Sequence, residues 1–400
     1  MKYNSTRDKT ILKNFTDIII SGTAADGGLY IPETIPHFKL DKNLTYIELA
    51  TEITSLFTDI DKQIIRDCFE KAYKDFKNDI IPIEKLDNDL FLIKLYQGPT
   101  LSFKDYALRF LGQIVDYVLE QKKLKKQIIT ATSGDTGPAA IYGFKDSKNV
   151  SIKVYFPSKN VSKLQREQML SIKQSNIEVV PIDADFDSCQ KLVKDSFAND
   201  KDGNLMTVNS INMGRIIAQI VYYVYIYSKI PNPNFFVPTG NFGNICAGYL
   251  AKQILKDDSM KLSICVGEND TLHRFYQTGI YEPHKTINTP ANAIDIANPS
   301  NFERILCYMS DVEDTKRYMT SLKENGKYEV SNALLKEFRK NFDVYRVSNA
   351  EIFETQKLIL DKYKQKICPH TAVAFKSALS DSNAQNNKVI FATADPVKFE

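Results

Sequence analysis

The sequence predicts an α/β protein with largely parallel sheets and helices on both sheet faces. Short apolar runs recur from Leu90 onward, and segments with helical spacing separate most of them. This alternation is typical of strands joined by crossover helices. The runs are apolar almost throughout, as expected for strands buried on both faces. They are FLIKLY, QIITATS, IKVYFP, IEVVPID, NLMTVNS, NPNFFVPTG, LSICVGE and KVIFATAD.

Residues 1–90 have a different pattern, which predicts a mostly helical N-terminal module. They contain STR at 5–7, a glycine-rich turn AADGGLYIPE at 24–33, and the helical patterns YIELATEITSLF and IIRDCFEKAYKDF. Residues 280–360 begin with polar stretches and continue with helix-like segments rich in Lys and Glu. There we expect loops and helices that decorate the second half of the sheet.

Composition and charge argue against several classes of protein. The 400 residues are 43% apolar and 25% charged, and the net charge of +3 arises from mixed charges, which argues against a dedicated nucleic-acid binder. The most apolar run, 216–227, is too short for the roughly 20 residues of a membrane span and predicts a buried helix. Six scattered cysteines and an N-terminus without an apolar signal core favour a cytoplasmic protein.

Metal chemistry is not expected either. The four histidines share no spacing typical of metal ligands, and the motif HExxH is absent. His370 stands between Pro369 and a predicted helix start, where a capping or core role explains it.

Lys104 is the first candidate for a chemical role. It lies in QGPTLSFKDYAL, between a Gly-Pro turn and an apolar segment with helical spacing, so we expect it at a helix start and partly desolvated. Desolvation disfavours the ammonium form, and the neutral amine is the form that attacks a carbonyl. A solvated surface lysine fits the same local sequence, which by itself does not decide between the two.

Gly240, Asn241, Phe242, Gly243 and Asn244 follow the apolar run NFFVPT and precede a helical segment. Glycines in such a turn allow backbone amides to point at an anion, with a helix dipole behind them. The turn lacks the GK[ST] ending of a nucleotide-binding loop, so it predicts a phosphate site without implying a nucleotide. A tight turn that needs glycine for its backbone angles remains an alternative.

A second turn of this kind is TSGDTG, which ends the run QIITAT. Its Thr132, Ser133, Asp135 and Thr136 offer hydroxyl groups and amides that suit a carboxylate or a phosphate. Taken alone, the motif also fits a simple helix cap formed by Asp135 or Thr136.

The segment NSINMGRIIAQ places Asn209, Ser210 and Arg215 directly before an apolar helix. An arginine in the first turn of a helix is poorly placed for the helix dipole and well placed to meet an anion. A surface arginine with neighbouring asparagines as caps is the alternative.

In combination, these motifs resemble the threonine synthase family of pyridoxal-phosphate enzymes. The resemblance runs from STR and DGGLYIPE through GPTLSFKD, ATSGDTG, NSINMGRIIAQIVYY and PTGNFGNICAGY to PHTAVA and TADPVKF. It implies the fold of the tryptophan-synthase β-subunit, PLP fold type II, with two open, mostly parallel sheets. It also implies a large cofactor domain of residues 91–124 and 206–400, with a small α/β domain of residues 125–205 inserted in it after the N-terminal module 1–90.

The resemblance further implies roles for individual residues. Lys104 would hold pyridoxal 5'-phosphate as a Schiff base and move the α and β protons of the substrate. The hydroxyl of Thr393 would face the pyridine nitrogen. The cofactor phosphate would be held by Gly240, Asn241, Phe242, Gly243 and Asn244. The substrate would be contacted by Thr132, Ser133, Asp135, Thr136, Asn209, Ser210 and Arg215.

The implied reaction converts O-phospho-L-homoserine to L-threonine and phosphate, in a monomer or homodimer. Asp135 stands where related enzymes often have Asn, Asp395 where His is expected, and Met213-Gly214 where Trp-Ala is common. These departures concern the shape of the pocket. Two alternatives stay open: a phospho-lyase that releases a keto acid, and a non-catalytic member that binds a metabolite.

Overall fold

Two parallel-rich sheets contain the strands predicted from Leu90 onward. The computed structural model describes residues 1–77, 79–159, 161–383 and 385–399. The strands in these ranges are β1 (Lys2–Ser5), β2 (Leu12–Asn14), β3 (Tyr30–Pro32), β4 (Ile83–Lys85), β5 (Leu90–Lys94), β6 (Lys126–Ala131), β7 (Val150–Pro157), β8 (Ile177–Ile182), β9 (Leu205–Met206), β10 (Pro233–Pro238), β11 (Lys261–Val266), β12 (Ile280–Tyr281), β13 (Tyr328–Glu329), β14 (Asp343–Arg346) and β15 (Asn387–Ala392).

The larger sheet has the order β14-β11-β10-β15-β5-β4, with all pairs parallel except β4 and β5. The smaller sheet, β8-β7-β6-β9, is parallel throughout and draws its strands from between residues 126 and 206. The expectation of two open, mostly parallel sheets is therefore confirmed. The assignment of residues 125–205 to an inserted domain stays a prediction.

Helices cover both sheets. They are α1 (Phe15–Ser21), α2 (Tyr46–Ser55), α3 (Lys62–Tyr73), α4 (Lys104–Lys122), α5 (Thr136–Phe144), α6 (Lys163–Leu170), α7 (Phe186–Ala198), α8 (Met213–Lys229), α9 (Gly243–Leu255), α10 (Thr271–Thr278), α11 (Phe302–Met309), α12 (Val312–Asn325), α13 (Asn332–Asn341), α14 (Asn349–Tyr363) and α15 (Pro369–Ser380). As predicted, the apolar run 216–227 is a largely buried helix, α8, which packs on α4 and α9. Across the described residues, no helix combines the length and apolarity that a membrane span requires.

The N-terminal module is less helical than expected. It contains α1 to α3, but β1 also pairs with β2 and β3 in an antiparallel sheet. The strands escaped the sequence analysis because each has only three or four residues, too few to show a period. Similarly, β14 adds an edge strand within residues 280–360, where only loops and helices were expected.

The motif STR attaches this module to α11. Thr6 Oγ1 donates a hydrogen bond of 2.6 Å to Glu303, and the Arg7 guanidinium donates two, of 2.8 and 2.7 Å, to the same carboxylate. Thr6 Oγ1 also accepts from Leu29 N at 2.8 Å, next to the glycine-rich turn. Glu303 is 7% exposed, so these hydrogen bonds, and not water, stabilise its negative charge.

We therefore expect Glu303→Gln to lower the free energy of unfolding by about 2 kcal/mol, because it weakens buried, charge-assisted hydrogen bonds. Chemical denaturation measures this change. Glu52→Gln is the control, since Glu52 pairs with Lys62 on the surface and should matter by less than about 1 kcal/mol. Equal effects of the two substitutions would contradict the proposed attachment.

Candidate active site

Lys104 is the first residue of α4, as the sequence predicted. The turn before it is held from two sides. Asp105 accepts hydrogen bonds from Thr100 N (2.8 Å) and Thr100 Oγ1 (2.7 Å), which closes the turn on its own helix. On the other side, Phe103 N donates to the carbonyl of Thr393 at 2.8 Å, directly after β15. The residue directly after β15 thus helps to fix the position of Lys104. Asp105 has a structural role, because it closes the turn at the start of α4.

The Lys104 amine is desolvated. Its side chain is 14% exposed, and Nζ lies 3.8 Å from Asp135 Oδ2. Burial lowers the pKa of Lys104; the Asp135 carboxylate opposes this change, while the charges of Arg215 and Lys398 add to it. A solvated surface lysine does not fit this environment, which favours the neutral, nucleophilic amine.

Asp135 precedes α5 but does not cap it, since its carboxylate accepts no hydrogen bond from the helix start. It accepts instead from Lys398 Nζ and Gln165 Nε2, each at 2.9 Å. Burial alone would raise the pKa of Asp135, but the ammonium groups of Lys398 and Lys104 hold that pKa well below its usual range. The helix-cap alternative for Asp135 therefore does not fit, and the side chain is an ionised hydrogen-bond acceptor inside the site.

The other residues of TSGDTG differ in their surroundings. Thr132 Oγ1 accepts hydrogen bonds from Gly134 N and Gly137 N, both at 3.1 Å, so this hydroxyl shapes the loop itself. Ser133 is exposed and Thr136 is half-buried at the start of α5. Contacts of these residues with a substrate stay a prediction.

The turn 240–244 connects β10 to α9 and contains an unpaired donor. Phe242 adopts a left-handed conformation with φ of 64° directly before α9, which directs the following amides along the helix start. Asn244 Oδ1 accepts from the hydroxyls of Tyr222 (2.7 Å) and Tyr223 (2.9 Å). Its buried Nδ2 has no hydrogen-bond partner among the described residues. A buried amide without a partner, at a helix N-terminus, fits an anion such as a phosphate.

Gly240 has no room for a side chain, because a Cβ there would lie 2.9 Å from the carbonyl oxygen of Ala293. We expect Gly240→Ala to displace this turn and weaken cofactor binding by at least about tenfold, since the anion site depends on the backbone path. Titration with pyridoxal phosphate, followed by visible absorption, measures the affinity. The control is Gly267→Ala, where a Cβ meets no atom within 4 Å among the described residues. If both variants bind equally, the turn does not hold the phosphate.

Arg215 lies in the first turn of α8, 4% exposed, where Asn212 caps the helix by accepting from Gly214 N at 3.0 Å. Its Nη1 donates to the Val208 carbonyl at 2.9 Å, and its buried Nε has no partner in the described ranges. Burial lowers the pKa of Arg215 to about 10, which leaves it charged at neutral pH. This burial does not fit a surface arginine. It fits a guanidinium that binds an anion through its unpaired nitrogen.

The loop before α8 is exposed at Asn209 and half-buried at Ser210. Asn301 Nδ2 donates to the carbonyls of Ser210 (3.3 Å) and Asn241 (2.9 Å), which brings this loop beside the phosphate turn. Arg304 continues the connection with a hydrogen bond of 2.6 Å to the Ile211 carbonyl. No motif in the sequence indicated Asn301 or Arg304, because they bind backbone atoms that are distant in the chain.

His370 is a buried residue, as expected, but one of its nitrogens is unpaired. Nε2 accepts a hydrogen bond of 2.9 Å from Ala293 N, which assigns the proton to Nδ1. That Nδ1 has no partner in the part of the chain that the structure describes. Burial lowers the pKa of His370 to about 4, so the ring is neutral and presents an N–H donor near Lys104 and Asp135.

Comparison with known proteins agrees with this geometry. Residues 79–394 match the family described as pyridoxal-phosphate dependent enzyme, and residues 2–73 match the threonine synthase N terminus. The threonine synthase of Pseudomonas aeruginosa is 37% identical, over 100% of this chain and 89% of that protein. The chain belongs to the threonine synthase family of pyridoxal-phosphate-dependent enzymes.

Structural similarity extends over the same length. The crystal structure of a PLP-bound threonine synthase from Brucella melitensis superposes with a TM-score of 0.96, at 36% identity, and covers 100% of this chain and 89% of that one. In sequence, the chain is also similar to the threonine synthase-like 2 protein of Xenopus laevis, with 33% identity over 100% of this chain and 89% of that protein.

The residues present fit the cofactor of this family. Pyridoxal phosphate requires an amine for its aldehyde, an anion site for its phosphate and a polar group near its ring nitrogen. Lys104 provides a desolvated amine, Asn244 an unpaired buried amide, and Thr393 a hydroxyl at the end of β15. The turn before Lys104 donates a hydrogen bond to the carbonyl of Thr393, which brings the Lys104 amine and the Thr393 residue to the same part of the site.

Proposed function

We propose that this chain converts O-phospho-L-homoserine and water to L-threonine and phosphate. The observation that supports this most is the state of Arg215, a buried guanidinium that stays charged and whose Nε has no partner among the described residues. It lies near Lys104, so an anion held by Arg215 would be close to the reactive amine. Such a donor suits a substrate with a phosphate dianion at one end and a carboxylate at the other.

Pyridoxal phosphate supplies, when bound, an electron sink for negative charge at the α carbon of an amino acid. Lys104 would hold its aldehyde, and Thr393 would place a hydroxyl beside the ring nitrogen. Its phosphate would be held by Gly240, Asn241, Phe242, Gly243 and Asn244. A hydroxyl in that position would leave the ring nitrogen largely unprotonated. Proton transfer would then depend more on side chains of the protein, above all on Lys104.

Lys104 Nζ would move those protons. Burial lowers its pKa and so favours the neutral amine, which is the form that accepts a proton, and the hydrogen bonds of the preceding turn fix its place as the first residue of α4. Overall, the γ carbon loses phosphate and gains a proton, while the β carbon loses a proton and gains the hydroxyl group of water.

Two groups of residues would orient the substrate. We assign an anionic end to Arg215, whose buried Nε lacks a partner among the described residues, together with Asn209 and Ser210. The other group is Thr132, Ser133, Asp135 and Thr136. Asp135 is ionised and therefore accepts hydrogen bonds, so it suits an N–H or O–H group of the substrate and not an anion.

Incubation of the purified holoenzyme with O-phospho-L-homoserine tests the proposal. Equal amounts of threonine and phosphate are expected. Phosphate with 2-oxobutanoate and no threonine would instead establish the alternative, a phospho-lyase. Tight binding of the substrate without turnover would instead indicate a non-catalytic, metabolite-binding member.

We also propose a cytoplasmic location, because all six cysteines are free thiols, as is typical of a reducing compartment. Cell fractionation addresses this point. A monomer or a homodimer is expected, which size-exclusion chromatography with light scattering distinguishes.

A further inference from the structure

Lys398 is a completely buried lysine in the last turn of the described chain, Pro396–Phe399. Its Nζ donates to the Thr100 carbonyl at 2.5 Å, to Asp135 Oδ1 at 2.9 Å and to Gln168 Oε1 at 3.2 Å. An ammonium group has three N–H donors, so these acceptors engage all of them. Lys398 therefore has no donor left for a substrate or a cofactor. Its role is to hold these three acceptors in place.

The three acceptors come from different parts of the fold. Thr100 belongs to the turn that precedes Lys104, Asp135 precedes α5, and Gln168 lies on α6. Gln168 Nε2 also donates to the Thr100 carbonyl at 3.3 Å. The segment that carries Lys398 is itself joined to the lysine turn, since Asp395 N donates to the Leu101 carbonyl at 3.1 Å. One ammonium group thus connects helices of the smaller sheet to the turn that positions Lys104.

The charge of Lys398 also affects Lys104. Asp135 Oδ2 lies 3.8 Å from Lys104 Nζ, and an uncompensated carboxylate at this distance would stabilise the ammonium form of Lys104. Lys398 binds the other oxygen of that carboxylate and offsets its charge. The titratable groups that face this pair from the surrounding elements are Asp105, Arg215, Cys368 and His370.

We propose that Lys398 is a positioning residue that holds the Asp135 carboxylate in place beside Lys104 and offsets its charge, so that Lys104 remains available as a neutral amine. The inference rests on the proposed function only in using pyridoxal phosphate as the partner of Lys104. It gives a role at the reaction centre to a side chain that does not touch the reacting atoms.

The test is the pH dependence of cofactor uptake by the full-length chain after removal of the cofactor. Pyridoxal phosphate is added over a series of pH values, and growth of the visible absorption band gives the rate. Only the neutral amine reacts, so the rate rises with pH through the pKa of Lys104. Lys398→Gln removes the positive charge and leaves Asp135 to stabilise the ammonium form. The midpoint should therefore move to higher pH by about one unit.

Two further variants separate charge from packing. Lys398→Gln combined with Asp135→Asn removes both charges and should bring the midpoint back towards that of the wild type. Lys252→Met is the matched control, because Lys252 is also a buried lysine, 3% exposed, but pairs with Asp258 near the far end of α9. This control should leave the midpoint unchanged even if it lowers stability.

An unchanged midpoint in folded Lys398→Gln would overturn the proposal. Loss of the fold in Lys398→Gln and in the double variant, with Lys252→Met still folded, would assign Lys398 to stability and overturn it as well. The measurement uses no amino-acid substrate. A wild-type protein that takes up the cofactor but makes no threonine would thus refute the proposed reaction and leave this inference standing.

Discussion

Lys104→Ala is expected to give a colourless protein with activity reduced at least about 1000-fold, because the substitution removes both the amine that holds the cofactor aldehyde and the proton carrier. Burial, which lowers the pKa of Lys104, is what prepares this amine for the reaction. Absorption spectra after incubation with pyridoxal phosphate and an assay of phosphate release measure the two losses separately.

Lys94→Ala is the control for this substitution. Lys94 is a partly buried lysine on β5, 26% exposed, and its Nζ pairs with Glu84 at 2.7 Å. It should retain the visible band and the activity. A Lys104→Ala protein that stays yellow would show that another amine holds the cofactor, and the whole assignment of the site would fail.

Arg215→Gln is expected to raise KM for O-phospho-L-homoserine about 100-fold while the visible band persists. The guanidinium is buried and charged, and its Nε has no partner among the residues described, so an anion of the substrate would complete its hydrogen bonding. Loss of a charge-assisted contact of this kind costs about 2 to 3 kcal/mol, which corresponds to that change in affinity.

Arg109→Gln provides a matched comparison. Arg109 is another buried arginine, 5% exposed, and its Nη1 also lacks a partner among the described residues, but its guanidinium pairs with Asp75 and binds the Ala72 carbonyl on the side of α3. Its substitution should lower stability and leave KM unchanged. Equal KM values for Arg215→Gln and the wild type would refute the assigned contact.

Local pattern was sufficient for much of the fold. Each apolar run predicted after Leu90 contains a strand, and Lys104, Gly243 and Thr136 begin helices directly after the turns that the motifs predicted. These features depend on neighbours in the chain, through strand composition, glycine and helical spacing. The short strands β1 to β4 and β12 to β14 were missed because their stability comes from pairing with other segments of the chain.

By itself, then, the sequence determined the alternation of strands and helices and the turns with the chemistry to bind anions. The tertiary structure decided the surroundings of each candidate side chain. It buries Arg215, turns the Asp135 carboxylate from its helix to Lys398, and leaves Asn244 with an unpaired amide. Burial and charge pairing depend on residues that lie far apart in the chain, and Lys398 is 263 positions from Asp135. No local pattern encodes such a distance, so the pKa of Lys104 is a property of the folded site.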